Sequence, residues 1–104
     1  MNFVFLYVTT KNTEESEKIG RILVEERLVA CVNILGDIKS IYQWQGKIET
    51  GGESVFIAKT KLALADKTIS RIKELHSYEC PCVVALPVVN GNEAYLNWLA
   101  AETQ

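Results

Sequence analysis

The sequence has few cysteines, a single histidine and no excess of positive charge, and these shortages exclude several classes of protein. The 104 residues include three cysteines, an odd number that argues against the disulfide framework of a small secreted domain. The 11 basic residues are scattered among 13 acidic ones, for a net charge of −2. Such a chain presents no basic surface for nucleic acid or anionic lipid, so we expect neither partner.

Long hydrophobic runs are also missing. The N-terminal residues MNFVFLYVTT contain an apolar run of six residues, with no basic segment before it and no small-residue cleavage site. A membrane-spanning helix needs about 20 apolar residues, and a signal peptide needs those flanking segments. We therefore expect a cytoplasmic protein with no membrane partner, with reduced thiols and with one domain over residues 1–104.

Motifs for nucleotide binding and catalysis are absent as well. The chain has no G-x-x-x-x-G-K-[ST], G-x-G-x-x-G, H-E-x-x-H or G-x-S-x-G segment. Its early loop, TTKNTEES, has no glycine or arginine to hold the anion of an acyl phosphate. Since the sequence displays no nucleophile paired with a base, we expect a protein that is not an enzyme.

The first half of the chain has the pattern strand, helix, strand, strand. Phe3 to Val8 are consecutive apolar residues typical of a buried strand, and Asn12 is a candidate N-cap for a helix that runs to about Leu28. Residues 29–49 predict one long strand and residues 53–60 a second. Gly46 is a candidate for the hairpin turn between them, and the assignment of a turn or a bulge to Gly46 and to Gly51-Gly52 stays open.

The second half has the pattern helix, strand, helix. From Leu62 onward, apolar residues recur at helical spacing, and Pro81 forbids continuation of that helix. Cys82 to Val89 predict a strand with no polar face. Asn92 is a candidate cap for a short terminal helix with Tyr95, Trp98 and Leu99 on one side.

The order β-α-β-β-α-β with a further helix indicates an α+β, ferredoxin-like fold, in which two helices pack on one face of an antiparallel sheet. The other face of such a sheet normally meets water and alternates polar with apolar residues. Here the strand segments at residues 3–8, 29–32 and 83–89 are apolar on both faces. We therefore predict that another copy of the chain covers the second face, in a cyclic homo-oligomer.

The stretch HSYECPC, residues 76–82, holds the only histidine and two of the three cysteines. If the backbone is extended at Cys80 and Cys82, their side chains share one side with Cα atoms about 6.6 Å apart, which suits two thiolates on one soft ion. His76 is a candidate third ligand, and Cu(I) or Zn(II) are the matching metals. The alternative is that the stretch is only a helix end and a strand start, with the cysteines as small apolar residues.

Two further features have structural interpretations. Cys31 stands alone in VACVN and is expected to be a buried, inert thiol. Tyr42 and Trp44 share one strand face, where aromatic side chains stack bases in some RNA-binding modules. Because the chain is acidic and lacks the RNP signature, we expect them to serve core or subunit packing.

Several segments together resemble the CutA family of divalent-cation tolerance proteins. They are LVACVNI, SIYQWQGKIE, the Lys59-Thr60 pair, HSYECP and LPVVNGNEAYLNWL, and they span nearly the whole chain in order. The resemblance implies a ferredoxin-like homotrimer assembled like the PII signalling proteins, with long hairpins reaching onto neighbouring subunits. It also implies a link to tolerance of copper and other divalent ions, with no firmly attached catalytic activity.

This chain differs from the CutA family motif in the stretch that would bind metal. His76, Tyr78 and Pro81 match their family positions, whereas Ser77 replaces a proline. Where members commonly have Val-Pro-Glu, this chain has Cys80-Pro81-Cys82. An acidic group suited to a hard cation is thus replaced by soft ligands, which favours Cu(I).

Two functions follow as hypotheses. The first is a non-enzymatic, cytoplasmic trimer for divalent-cation tolerance that binds copper through His76, Cys80 and Cys82. The second is a PII-like regulatory or scaffolding trimer whose intersubunit clefts hold a small molecule or a partner protein. Lys59, Glu53 or Glu79 facing a cleft with no thiol nearby would favour the second.

Overall fold

Four β-strands and three α-helices follow one another in the computed structural model, which describes all residues from 1 to 104. The elements are β1 (Phe3–Thr10), α1 (Thr13–Glu25), β2 (Cys31–Trp44), β3 (Lys47–Lys61), α2 (Ala65–Leu75), β4 (Val83–Val88) and α3 (Glu93–Ala101). A single 3-10 turn at Leu62–Leu64 precedes α2. None of the helices is long and apolar enough to cross a membrane. The order confirms the predicted β-α-β-β-α-β succession with its additional helix.

The strands form one antiparallel sheet in the order β2-β3-β1-β4, which is the ferredoxin-like arrangement that the sequence predicts. β1 lies inside the sheet, paired with β3 on one side and β4 on the other. One face of the sheet packs against α1 and α2 around a cluster of buried side chains. These include Leu6, Val8, Ile19, Leu23, Phe56, Ala58 and Ile72. Burial of this cluster is the main stabilising contribution to the fold.

Helix α1 begins where predicted and ends earlier. The Asn12 side chain caps it, because its Oδ1 accepts a hydrogen bond from the Glu15 amide at 2.9 Å. The helix was expected to run to about Leu28, and α1 ends three residues earlier, at Glu25. Arg27 adopts a left-handed backbone conformation with φ of 58°, which breaks the helical hydrogen-bond pattern and turns the chain toward β2.

The β2–β3 hairpin settles the assignment of the glycines. Gln45 and Gly46 form its two-residue turn with φ of 49° and 80°, values that glycine adopts without strain. Gly51 and Gly52 lie within β3 and pair regularly with β2, so they form neither turn nor bulge. The irregularity lies on the opposite strand, between Leu35 and Ile38. Both strands continue past it for several residues, which makes the molecule 45 Å long but only 26 Å and 22 Å across.

The second sheet face is partly covered by α3. Leu99 of this helix is fully buried, and Lys59 on β3 donates a hydrogen bond to the Tyr95 hydroxyl at 3.3 Å. Beyond α3, Leu35, Val84 and Leu86 remain about half exposed, at 51%, 48% and 50%. The predicted apolar character of both faces is therefore present in the structure, and one chain alone leaves part of the second face in contact with water.

A charge placed on the helix-covered face should destabilise the protein. Val32 packs against the core, and a Cβ added at Gly20 of α1 would lie 3.0 Å from its Cγ1. We expect Val32→Asp to lower the free energy of unfolding by about 3 kcal/mol, because a charged group would replace an apolar side chain that packs against the core. Urea denaturation measures this. Val24→Asp, at a 40% exposed site on α1, is the control and should change little; equal effects of the two substitutions would contradict this packing.

Candidate functional site

The stretch HSYECPC connects the end of α2 to the start of β4. α2 ends at Leu75, and the His76 amide donates to the Ile72 carbonyl at 2.9 Å as the helix closes. β4 begins at Val83, one residue later than the predicted start at Cys82. The Cys82 carbonyl still accepts a hydrogen bond from the Thr9 amide, at 3.3 Å. Cys80 and Cys82 therefore lie in a connecting segment, residues 76–82, which we call the 76–82 loop.

The imidazole of His76 uses both of its nitrogens within the protein. Nε2 lies 2.7 Å from the Thr9 carbonyl oxygen, which can only accept, so Nε2 donates. Nδ1 accepts a hydrogen bond from the Tyr78 amide at 3.0 Å. The two bonds select the neutral tautomer protonated at Nε2. Coordination of a metal by His76 requires that one of these bonds be released.

The carboxylate of Glu15 attaches the 76–82 loop to the start of α1. Oε2 accepts a hydrogen bond from the Ser77 amide at 2.8 Å, and Oε1 accepts one from the Lys11 amide at 3.1 Å. Burial raises the pKa of this carboxyl group, but the hydrogen bonds that it accepts from Ser77 and Lys11 outweigh the effect of burial. The net result is a pKa below the ordinary value, so the bonded carboxylate stabilises the fold at neutral pH.

Tyr78 joins the same loop to β3. Its hydroxyl donates a hydrogen bond to Oε2 of Glu53 at 2.8 Å, and its ring lies 4.8 Å from the His76 ring, centroid to centroid. Burial raises the pKa of Tyr78, and the adjacent Glu53 carboxylate raises it further. The phenol therefore stays protonated as a donor and holds the loop against the sheet.

A cavity of about 630 Å³ opens between the 76–82 loop and the β2–β3 hairpin. We call it the hairpin cavity. Its lining combines three aromatic rings, two carboxylates, two thiols and a hydroxyl: Tyr42, Trp44, Tyr78, Glu53, Glu79, Cys80, Cys82 and Thr9. The strand register places Tyr42 and Trp44 on the sheet face that carries Glu53, away from α1 and α2. The predicted shared face of Tyr42 and Trp44 is confirmed.

The structure brings together two of the three predicted metal ligands. Cys80 and Cys82 both line the hairpin cavity as exposed free thiols, whereas His76 does not line it. No group of three or more histidine, cysteine, aspartate or glutamate side chains in the chain converges as a metal site. Metal binding by His76, Cys80 and Cys82 therefore stays a prediction, and two soft ligands are what one chain contributes to it.

Residues that shape the site were missed by sequence reasoning. Glu15 was not singled out, and Glu53 was named only as a candidate cleft residue. Both position the 76–82 loop, through contacts that join segments far apart in the chain. The Asn12-x-x-Glu15 spacing is a capping signal and could have drawn attention to Glu15, because a glutamate there can accept hydrogen bonds from main-chain amides. No local pattern indicates that Ser77 is its second donor.

The expectation that Cys31 is a buried thiol is wrong. It is partly exposed, because it lies at the start of an edge strand and on the sheet face that α1 and α2 do not cover. Lys59 is opposite it in the strand register, and the Asn33 side-chain amide lies 3.9 Å from its sulfur. A fully buried, inert thiol does not describe this position.

Removing the Glu15 carboxylate should destabilise the protein in a pH-dependent way. Glu15→Ala leaves the Ser77 and Lys11 amides without their acceptor, and we expect the free energy of unfolding at pH 7 to fall by about 2 kcal/mol. Since the folded-state pKa is below the usual value near 4.5, the stabilisation is complete above that pH. It is lost as the pH falls through the folded-state pKa. Urea denaturation at pH 7 and at pH 3 measures both effects.

The matched control for that experiment is Glu14→Ala, which removes an exposed carboxylate in the same helical turn. We expect a change of less than about 0.5 kcal/mol there. A Glu15→Ala effect no larger than the Glu14→Ala effect, or one that grows at low pH, would contradict the role of Glu15.

Comparisons with known proteins agree with the fold and the motifs. Residues 4–102 match the model of the family described as CutA1 divalent ion tolerance protein. The chain is 43% identical over 96 residues to the divalent-cation tolerance protein CutA of Thermus thermophilus, covering 92% of this chain and 93% of that one. It is 38% identical over 101 residues to the chloroplastic protein CutA of Arabidopsis thaliana, covering 97% of this chain.

The chain spans about half the length of that plant relative, 56%. Its structure superposes on the crystal structure of CutA1 from Oryza sativa with a TM-score of 0.97 at 38% identity, covering 100% of this chain and 95% of that one. Sequence and structure thus agree with the resemblance carried by the five segments. The chain belongs to the CutA1 divalent ion tolerance protein family.

Proposed function

We propose that this protein is a non-enzymatic homotrimer that contributes to divalent-cation tolerance by binding copper at the hairpin cavity. The observation that carries the proposal is the pair of exposed free thiols, Cys80 and Cys82, on the wall of one cavity. Thiolates prefer soft ions, and Cu(I) is the soft state of copper. Bound copper would supply a soft Lewis-acidic centre held by these two sulfurs.

His76 enters this proposal as a third ligand on one condition. Its Nδ1 becomes available only when the Tyr78 amide is released, and its Nε2 only when the Thr9 carbonyl is released. Each release leaves a main-chain group without its partner, which costs free energy. We therefore assign the first two coordination positions to Cys80 and Cys82 and the third to His76 after the loop rearranges.

The trimeric state is supported by the apolar residues that one chain leaves exposed. Leu35, Val84 and Leu86 lie on the second sheet face, and Ile41 and Ile48 extend along the hairpin at about 70% exposure each. At roughly 25 cal/mol per Å² of apolar surface, covering a few hundred Å² stabilises an assembly by several kcal/mol. A copy of the same chain is the simplest cover, and a cyclic assembly closes without leaving an open end. The number three is what the resemblance to the CutA family implies.

Separate observations support the proposals that this protein is not an enzyme and that it is cytoplasmic. Both ring nitrogens of the only histidine form hydrogen bonds with main-chain groups, so the imidazole is not free to act as a base. Three unpaired cysteines suit a reducing compartment such as the cytoplasm. The Arabidopsis relative is named as chloroplastic, so family members differ in compartment.

A PII-like regulatory trimer is the second candidate. It would be favoured by a polar residue facing a cleft that has no thiol. Glu53 and Glu79 do face the hairpin cavity, but Cys80 and Cys82 line it too, and Lys59 instead bonds to Tyr95 on α3. The arrangement therefore supports copper binding first, and a small-molecule or partner-protein site in the same cavity second.

Titration with Cu(I) tests the metal proposal. We expect the reduced protein to compete with a chromophoric Cu(I) chelator, and Cys80→Ser with Cys82→Ser to weaken binding at least about 100-fold, because both soft ligands are lost. His76→Ala should weaken it less. Cys31→Ser is the matched control, because Cys31 lies outside the cavity, and it should bind like the unaltered protein. Binding that persists in the double variant would overturn the copper site at these cysteines.

Sedimentation equilibrium tests the trimer. We expect three times the chain mass at micromolar concentration, and Val84→Asp should shift the equilibrium toward monomer, because its charge would be buried at the subunit contact. Val24→Asp, also at an exposed valine, is the control and should stay trimeric. A monomeric unaltered protein would refute the proposal. A Val84→Asp variant that stays fully trimeric would show that Val84 does not lie in the subunit contact.

A further inference from the structure

The connection between β4 and α3 contains the dipeptide Asn90-Gly91, the only place in the chain where glycine follows asparagine. Residues 89–92 belong to no strand or helix. The Gly91 amide donates a hydrogen bond to Oδ1 of Asn90 at 2.8 Å. This contact folds the Asn90 side chain back along the chain, so the main-chain nitrogen of Gly91 lies against the side-chain amide of its neighbour.

Other asparagines of the chain are engaged differently. Oδ1 of Asn12 accepts from an amide three residues ahead and Oδ1 of Asn92 from one two residues ahead, and each of them caps a helix. Asn33 lies inside β2 and Asn97 inside α3, where main-chain hydrogen bonds fix the backbone. Asn90 is therefore the asparagine whose side chain is directed at the amide that follows it, in a segment free of such bonds.

The fold does not require glycine at position 91. Gly46 is the one glycine with a left-handed backbone, so Gly91 has a conformation open to other residues. A Cβ added at Gly91 would lie 3.5 Å from Cδ1 of Leu96, an ordinary van der Waals contact. What glycine does change is the approach to Asn90, because a residue without a side chain leaves its own nitrogen unhindered and its backbone mobile.

We propose that Asn90-Gly91 is a site of covalent self-modification, at which Asn90 becomes aspartate or isoaspartate. The Gly91 nitrogen loses its proton to water and attacks Cγ of Asn90, and proximity of the two groups favours this step. An N–Cγ bond forms, the Cγ–Nδ2 bond breaks, and Nδ2 takes up a proton and leaves as ammonia. Water then opens the resulting succinimide ring at either carbonyl, so the net reaction consumes one water and releases one ammonia.

The reaction is independent of the copper and trimer proposals. Its reacting atoms belong to two adjacent residues and its co-reactant is water, so it uses no cavity, metal or neighbouring subunit. Each event changes the net charge of the chain from −2 to one unit more negative, and isoaspartate also adds a main-chain carbon between β4 and α3. Because α3 covers part of the second sheet face through Leu99, the product alters the segment that positions this cover.

Incubation of the intact protein at neutral pH and physiological temperature tests the site. Ion-exchange chromatography should show a more acidic species that accumulates with time. Peptide mapping by mass spectrometry should show a gain of one mass unit that fragmentation assigns to residue 90, with aspartyl and isoaspartyl forms that separate on chromatography. Asn12 and Asn92 are internal controls and should stay unchanged over the same period, because helix amides hold their side chains.

Gly91→Ala separates this chemistry from other causes of an acidic species. It should slow the modification of Asn90 at least about ten-fold, because a side chain at residue 91 hinders the attacking nitrogen. Gly51→Ala is the matched control, since a Cβ added there meets nothing within 4 Å, and it should leave the rate unchanged. Unchanged urea midpoints confirm that both variants fold.

Three results would overturn the modification site. They are an Asn90 that stays intact in the unaltered protein, an Asn92 that is modified as fast as Asn90, and a Gly91→Ala variant that reacts at the unaltered rate. Each can be observed whatever the protein does with copper and whatever its oligomeric state, so this site and the proposed function can fail separately.

Discussion

The position of the 76–82 loop depends first on the Glu15 carboxylate. Its two oxygens accept hydrogen bonds from two main-chain amides, that of Lys11 before α1 and that of Ser77 after α2. These two donors are distant in sequence. Removal of such an acceptor leaves main-chain donors unpaired in a part-buried place, which costs more than the bonds contribute on average. His76 and Tyr78 then attach the same loop to β1 and β3. With its backbone held at these points, the loop presents Cys80 and Cys82 to the hairpin cavity.

The sheet connects this site to the proposed assembly. One face of β1 and β3 is filled by α1 and α2, and the opposite face carries both the half-exposed apolar residues and the hairpin cavity. A contact that covers the apolar residues therefore lies on the same side of the molecule as the candidate ligand site. Assembly and ligand binding are expected to influence each other through this shared face.

Local patterns in the sequence predicted the elements well. The Asn12 cap and the hairpin turn near Gly46 depend on neighbouring residues, and the structure has both. Pro81 does not itself end α2, which stops at Leu75. The end of α1 was misplaced because Arg27 adopts a left-handed conformation, which is more typical of glycine or asparagine. The irregularity between Leu35 and Ile38 also has no clear local signal, since Gly36 could equally have marked a turn.

The site was predicted only in part, because its contacts are long-range. Cys80 and Cys82, which cluster in HSYECPC, both line the hairpin cavity, but the clustering could not reveal that the Thr9 carbonyl and the Tyr78 amide bond to the His76 ring. Alternation along β2 gave Tyr42 and Trp44 a shared face. Their meeting with Tyr78 depends on the hydrogen bond to Glu53 and on the β2–β3 register, which appear only in three dimensions.

His76 is a structural group of the 76–82 loop, protonated at Nε2 and accepting a hydrogen bond at Nδ1, while Cys80 and Cys82 are free thiols. Because the chain has one histidine, nitrogen-15 NMR of the imidazole gives a single unambiguous pair of resonances. At neutral pH we expect a protonated Nε2 and an unprotonated Nδ1 that accepts a hydrogen bond, as these contacts require. A protonated Nδ1, or rapid exchange between both tautomers, would contradict this assignment and return His76 to the set of free ligands.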